Sequence, residues 1–382
     1  MVLVYGSQYC FGVFFKPMIA EYGWSRAATS GPFALFMIVT GVLAVVAGRL
    51  SDRLGPRLII TISSLIFGIG YILMSQISNL WQLYLVYGVV IAAGSSGMYT
   101  PLVTMLTRWF PHNRGLMAGI GISGIGFGIG VMPLLASSMV VAYNWRTSTL
   151  ILGIVCLFLV TILGQFARKA PAALQGKPVS NPNQPPSQHK EYTFSQAIRT
   201  HQFWLFFIAW ICYGFFAHAG LVHIVPYASD LGLSVTAAAS VLTTIGLVGT
   251  ASRIGLGYSG DRYGHKLMVL ISFVALTLAF GGLAASRSIW MLYTFGLVFG
   301  CFSGIGVLLA PMVTDFFGFK ALGVIVGALV MGNALGGAIS PPLAGGIFDL
   351  TGSYLWAFII CAVLGLASVV LMYLIKPPTR TG

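Results

Sequence analysis

Long apolar segments recur along this chain about twelve times, and this feature limits its possible folds more than any other. Each is long enough to cross the roughly 30 Å hydrocarbon core of a bilayer as a helix. Since 57% of the residues are hydrophobic and 7% are charged, a soluble globular fold is excluded. In lipid the backbone must satisfy its own hydrogen bonds, so every segment is predicted to be helical. The segments lie near residues 1–20, 29–50, 58–76, 81–108, 115–142, 146–167, 202–228, 236–258, 267–285, 289–313, 322–347 and 353–375.

The first segment begins at Met1 without a charged lead-in. We therefore expect that an N-terminal tail and part of helix 1 precede it in the full-length protein. No small-residue cleavage site follows the segment, so it is not interpreted as a signal peptide.

The positive charges are distributed unevenly between the two sides of the predicted membrane protein. Of the 20 lysines and arginines, fifteen fall in alternate loops and the C-terminal tail: Arg49, Arg53, Arg57, Arg108, Arg114, Arg168, Lys169, Lys177, Lys190, Arg199, Arg262, Lys266, Lys320, Lys376 and Arg380. By the positive-inside rule, both termini are predicted to be cytoplasmic. The predicted location is the cytoplasmic (inner) membrane. The net charge of +13 is thus explained by topology, and we expect no nucleic-acid partner.

No cofactor or catalytic chemistry is predicted. The five cysteines are isolated within the spans and lack metal-ligand or redox spacing. A nucleotide-binding glycine loop is absent from the sequence, which argues against ATP as the energy source. Because no nucleophile, base or metal set converges within the spans, we do not expect an enzyme.

The chain repeats itself around a polar linker. Residues 168–200 are rich in Pro, Gln and Ser and are predicted to be a cytoplasmic linker between two six-helix halves, 1–167 and 201–382. GRLSDRLGPR at 48–57 returns as GYSGDRYGHK at 257–266, an offset of 209. Three further landmarks agree within two residues: EYGWS with DLGLS, PLVT with PMVT, and the Gly/Pro series that follows. This constant register indicates an internal duplication.

This doubled design, with G-x-x-x-D-R-x-G between the second and third helices of each half, resembles the major facilitator superfamily. The resemblance covers the whole chain. It implies a transporter with a substrate site between the halves, operated by rocking of one half against the other. In these loops, Asp52 and Asp261, with the adjacent Arg53 and Arg262, are predicted to meet helix N-termini or nearby arginines and to latch one conformation. Ordinary solvated turn charges are the alternative.

Four shorter stretches are similar to the monocarboxylate transporters and the bacterial oxalate:formate antiporters. They lie in both halves: SQYCFGVFFKPM at 7–18, RWFPHNRGLMAG at 108–119, HQFWLFF at 201–207 and VPYASDLGL at 225–233. This similarity implies a small carboxylate substrate.

Arg253 lies inside an apolar segment, where an arginine costs several kcal/mol by insertion scales unless it meets a partner or water. Helix 8 carries Gly246, Gly249, Arg253 and Gly257 at successive spacings of three, four and four residues. These four residues therefore share one face of the helix. Glycines on a membrane helix mark close packing against protein, so Arg253 is predicted to point inward. The alternatives are a side chain that reaches the cytoplasmic surface and one that pairs with a neighbouring helix.

In the resembling family the helix 8 arginine anchors the substrate carboxylate, and Arg253 falls on that position. Many animal relatives carry an aspartate one turn earlier, thought to hold the proton, where this chain has Gly249. The oxalate-transporting relatives have a lysine on helix 11, at a position that aligns with Leu329. With one cation in the cavity, we predict a monoanionic substrate of the lactate, pyruvate or short-chain acid class, since a dianion would leave one carboxylate unpaired.

Further cavity residues follow from the helices that line the site in this superfamily. Tyr9 on helix 1 and Tyr99 on helix 4 match aromatic positions of the relatives, and Phe302 on helix 10 is their expected counterpart across the cavity. Asn333 on helix 11 serves either the substrate or helix packing. For each tyrosine, simple packing is the alternative.

Proton coupling is assigned to helix 7. Every Asp and Glu lies at a helix end or in the linker, whereas His218 and His223 titrate in the useful range. His223 is the predicted proton carrier, with Asp230 about two turns beyond it; the substrate bringing its own proton is the alternative. The sequence thus predicts a monomeric secondary transporter of small monocarboxylates, coupled to protons. A carboxylate exchanger and a carboxylate sensor that does not transport are the alternatives.

Overall fold

The computed structural model describes residues 1–24, 26–169, 191–232, 235–285 and 289–376. Its first six long helices are α1 (Val2–Tyr9 and Phe11–Tyr22), α2 (Arg26–Leu54), α3 (Pro56–Met74), α4 (Leu80–Trp109), α5 (Arg114–Ala142) and α6 (Trp145–Gly164). The next six are α7 (His201–Asp230), α8 (Val235–Tyr263), α9 (His265–Ala285), α10 (Ile289–Phe302, Ser303–Leu308 and Leu309–Phe317), α11 (Leu322–Thr351) and α12 (Leu355–Leu374). A short helix, Phe194–Ala197, precedes α7.

The predicted all-α membrane fold is confirmed. Among the described residues, ten helices are long and apolar enough to cross a membrane, and α1 contributes a shorter apolar stretch, Val2–Phe15. The remaining long helix, α8, carries Arg253 among glycines and hydroxyl side chains, which lowers its hydropathy. The boundaries of the two halves remain predictions, and most of the linker, 170–190, lies outside the described residues.

Two clusters of buried side chains stabilise the helices. One cluster, which includes Phe36, Phe67 and Tyr71, comes from the first six helices. The other, which includes Trp210 and Phe273, comes mainly from the last six. Large apolar side chains outside both clusters are exposed, as expected for a surface that faces lipid.

Glycines bring the two groups of helices into backbone contact at two equivalent places. A Cβ built on Gly48 of α2 would lie 2.1 Å from the carbonyl oxygen of Gly323 of α11. A Cβ built on Gly257 of α8 would likewise lie 2.1 Å from the carbonyl oxygen of Gly115 of α5. Gly48 and Gly257 are 209 residues apart, the offset of the internal repeat. These paired contacts place α2 on α11 and α5 on α8.

Gly257→Ala is expected to destabilise the protein by about 1–3 kcal/mol, because the added methyl would force α5 and α8 apart. Gly255→Ala on the same helix is the matched control, since a Cβ there meets no atom within 4 Å. Thermal unfolding of both purified variants in detergent measures the effect. Equal transition temperatures for the two variants would contradict the close approach of α5 and α8.

Candidate substrate cavity and latches

A cavity of about 220 Å³ lies between the two groups of helices. Its wall is mainly apolar, with Ile122, Leu242 and Phe299 among the residues that line it. Arg253 is the only lysine or arginine among the described residues of the wall, and none of them is Asp or Glu. The described wall therefore presents a single permanent positive charge to whatever enters the cavity.

The Arg253 guanidinium points back along α8, away from the charged loop that follows this helix. Its Nη1 lies 2.8 Å from a Cβ built on Gly249, one turn earlier, and 2.9 Å from a Cβ built on Gly126 of α5. Gly249 and Gly126 thus leave room for the head group that larger side chains would fill. Asp261 at the loop lies eight residues further on, roughly 12 Å along the helix axis. This direction is the opposite of what a surface-reaching side chain requires.

Among the described residues, four tyrosines line the same cavity as Arg253. Tyr5, Tyr9, Tyr99 and Tyr213 all line the cavity. The Tyr99 hydroxyl donates to the Gly306 carbonyl oxygen at 2.9 Å, which ties α4 to α10 across the interface between the two groups of helices. Tyr213 donates to the Ser303 carbonyl oxygen. The Tyr9 hydroxyl makes no hydrogen bond to any described residue, so it is available to a ligand.

The polar groups of the wall include two that the sequence did not single out. Gln8 and Tyr213 both line the cavity, together with the expected Asn333. An amide within the apolar run of α1 was the signal that could have identified Gln8. Tyr213 has no such signal, because it lies in a run of aromatic residues.

The structure corrects the expectation for Phe302. The cavity wall includes Phe299, Ser303 and Gly304 but not Phe302. Phe302 ends the α-helical part of α10 with φ −119° and ψ −14°, and a 3₁₀ segment, Ser303–Leu308, follows. The change of helix type turns Phe302 out of the cavity and brings Ser303 into it.

Leu329 is also not in the wall. Its side chain is fully buried in the second cluster, whereas Val330, Asn333 and Ala334 of α11 line the cavity. Adjacent residues on a helix differ by roughly 100° in direction, so an alignment in error by one residue selects the wrong face. Val330 is therefore the position at which α11 would present a second charge.

Of His218 and His223 on α7, the structure places His218 in the cavity and His223 outside its wall. Nδ1 of His218 donates to the Gly214 carbonyl oxygen at 2.9 Å. His223 is buried against α11 and α12, where Nε2 lies 3.0 Å from the Pro341 carbonyl oxygen. His223 therefore lies outside the cavity wall, and its role as proton carrier remains a prediction. The side chain of Asp230 lies outside the described part of the chain.

The loop aspartates contact helix N-termini across the interface. Asp52, at the end of α2, accepts hydrogen bonds from the backbone N–H groups of Gly323 and Val324 of α11, both at 3.1 Å. Asp261, at the end of α8, accepts from Gly115 and Leu116 of α5 at 2.9 and 2.8 Å. A carboxylate at a helix N-terminus is stabilised by the helix dipole. We call the first contact the α2–α11 latch and the second the α8–α5 latch.

Within the described part of the chain, the predicted latch residues Arg53 and Arg262 form no ion pair with these aspartates. Arg53 and Arg262 are exposed, and Arg262 lies near Tyr258 and Tyr263. Arg108 of α4 instead donates to Asp52 at 2.7 Å. Arg114 of α5 pairs with Asp315 of α10, next to the α8–α5 latch. We call the end of the molecule that carries Asp52, Arg108, Arg114, Asp261 and Asp315 the basic face.

Two helical groups around a central cavity, joined by paired latches at one end, define a membrane transporter. The chain belongs to the Major Facilitator Superfamily, whose family model matches residues 1–258 and 224–382. Human monocarboxylate transporter 12 is 26% identical over 95% of this chain and 76% of its own length. Chicken (Gallus gallus) monocarboxylate transporter 4 is 27% identical over 94% of this chain and 78% of its own length.

Solved structures share the fold. The human organic anion transporter MFSD10 superposes with a TM-score of 0.72 at 14% identity, covering 97% of this chain and 98% of that one. The fucose:proton symporter FucP of Escherichia coli gives a TM-score of 0.68 at 16% identity, covering 97% of this chain and 96% of its own. At these identities the likeness concerns the fold alone.

Proposed function

We propose that this protein is a secondary transporter that moves small monocarboxylates with protons by alternating access, and that Arg253 anchors the carboxylate. The observation that carries the proposal is a single guanidinium facing a small cavity between the two groups of helices. The monocarboxylate transporters similar to this chain support the same class of substrate.

The cavity suits a small anion. A guanidinium binds a carboxylate through two parallel charge-assisted hydrogen bonds, and the free hydroxyl of Tyr9 supplies a further donor. The mainly apolar wall receives the short carbon chain. At about 220 Å³ the cavity is smaller than the roughly 300–1,000 Å³ of pockets for drug-sized ligands. One cation and no acid in the described wall favour a substrate with one negative charge.

The orientation in the membrane completes the proposal. With the basic face in the cytoplasm, both termini are cytoplasmic and the latches close the cavity on that side. The structure then corresponds to a conformation that is closed toward the cytoplasm, and opening requires both aspartates to leave their helix N-termini. We place the transporter in the cytoplasmic membrane as a monomer, since each chain holds a whole cavity.

The proton route is proposed to pass through the cavity as well. His218 is the titratable group of the described wall whose ordinary pKa is nearest neutrality. Its Nδ1 is used by the Gly214 carbonyl oxygen, which leaves Nε2 to exchange a proton with substrate or water. The carboxylic acid form of the substrate provides a second way to carry the proton.

A proton gradient directed into proteoliposomes, with the acidic side outside, is expected to drive carboxylate uptake above equilibrium. No membrane potential is needed, because the transport of one anion with one proton is electroneutral. Radiolabelled lactate uptake measures this. His218→Gln should reduce the response to the gradient severalfold, whereas His223→Gln, a matched change on the same helix, should not.

The alternatives give different results in the same assay. Uptake that ignores the gradient but is accelerated by carboxylate inside the vesicles would establish exchange. Carboxylate binding without any uptake would establish a sensor.

A further inference from the structure

The two latches differ in the group that meets their aspartate. Asp52 of the α2–α11 latch pairs with Arg108, which is positive at every physiological pH. Asp261 of the α8–α5 latch meets His265, the first residue of α9. By the repeat offset of 209, His265 corresponds to Pro56 in the first half, so only one of the two latches carries this imidazole.

His265 lies between two carboxylates. Its Nε2 is 3.1 Å from Asp261 Oδ1, and its Nδ1 is 2.6 Å from Asp315 Oδ2. The side chain is 7% exposed. A neutral imidazole has one N–H, so only one of these contacts would be a hydrogen bond and the other would bring two lone pairs together. Both contacts are favourable when the imidazole carries a second proton.

The charges around His265 require the same proton. Among the residues that the structure describes, the ion-pair partners of His265 are Asp261 of α8 and Asp315 of α10, and Arg114 of α5 pairs with Asp315. These three sum to one negative charge, which a protonated His265 neutralises. The same Asp261 carboxylate holds the N-terminus of α5. The imidazole therefore belongs to the group of side chains that joins the two sets of helices.

We infer that His265 is a proton-binding site linked to closure of the basic face, separate from the substrate cavity. The closed conformation binds one proton between Asp261 and Asp315, and separation of α8 from α5 releases it. By linkage, a lower pH at the basic face favours the closed conformation. If the basic face lies in the cytoplasm, acidification of the cytoplasm favours the closed conformation. Opening of the cavity toward the cytoplasm, which would release more carboxylate and protons there, is then slowed.

This inference rests on the proposed alternation between closed and open conformations but not on the identity of the substrate. Its test is therefore made without carboxylate. The pH dependence should also survive Arg253→Gln, which separates failure of this inference from failure of the proposed substrate site.

Spin labels can report opening of the basic face. Phe110→Cys at the end of α4 and Lys320→Cys before α11 place two exposed labels on opposite sides of the latches. Cys301→Ser removes the exposed native thiol, while the other four cysteines are buried. Pulsed electron paramagnetic resonance in lipid nanodiscs then gives the ratio of closed to open molecules between about pH 5 and 8.

The closed-to-open ratio should increase as pH falls, by up to about tenfold per pH unit for one linked proton. His265→Gln should abolish this dependence, and His112→Gln, which changes an exposed histidine on the same face, should preserve it. If His265→Gln does not fold, Asp315→Asn should move the transition to lower pH. A closed-to-open ratio that does not change with pH in the wild type would overturn the inference. A pH dependence in His265→Gln and Asp315→Asn that equals that of the wild type would also overturn it.

Nitrogen-15 spectra of histidine-labelled protein give an independent measurement. His265 should retain both ring protons at about pH 7, above the ordinary histidine pKa of roughly 6.5. A neutral His265 in the closed protein at that pH would contradict the proposed proton site.

Discussion

Arg253→Gln is expected to abolish specific carboxylate binding while the protein remains folded. Removal of one partner from a desolvated, hydrogen-bonded charge pair costs about 2–5 kcal/mol, which corresponds to at least roughly 30-fold in affinity. Glutamine keeps some hydrogen bonding but removes the charge, so the loss reports the ion pair. Isothermal titration with lactate in detergent measures the affinity, and liposome uptake measures the consequence.

Two further variants make this result specific. Arg253→Lys should restore binding only weakly, because an ammonium cannot reproduce the two-pronged contact of a guanidinium. Arg199→Gln removes an exposed arginine near the start of α7 and should leave binding unchanged. Wild-type affinity in Arg253→Gln would remove Arg253 from the substrate site.

The inward direction of Arg253 could be predicted because it depends on local spacing. Glycines three and four residues apart mark a packed face of α8, and the structure places that face against α5. The all-α fold followed from segment length, since a bilayer permits few other structures. These inferences require helix geometry alone, without knowledge of which helices are neighbours.

Predictions that needed tertiary register were less successful. The direction of the Phe302 side chain depends on the change of α10 to a 3₁₀ segment at Ser303, and an apolar sequence does not indicate such a change. His218 and His223 are five residues apart, so they point in directions that differ by roughly 140° around α7, and composition does not say which faces the cavity. The partners of Asp52 and Asp261 come from other helices, whereas the arginines adjacent in sequence are exposed.

Val330→Lys is expected to reverse the charge preference of the cavity. Val330 lines the wall on α11, so the introduced ammonium would add a second cation to that of Arg253. A monoanion would then leave one positive charge unpaired, while a short dianion such as oxalate would neutralise both. Uncompensated charge in a poorly solvated site costs several kcal/mol. We therefore expect the affinity for lactate to fall, and the affinity for oxalate to rise, by at least about tenfold each.

The matched control is Val330→Met, which adds comparable length without charge and should not admit oxalate. Leu329→Lys is unsuitable for the same purpose, because Leu329 is fully buried in the core and a lysine there would destabilise the fold. Competition binding with lactate and oxalate, after thermal unfolding has shown that each variant is folded, gives the two affinities. The presence of one cation in the cavity also predicts that the wild-type protein binds oxalate more weakly than lactate. Equal binding of the two anions by the wild type would mean that another positive group, such as a protonated His218, faces the substrate.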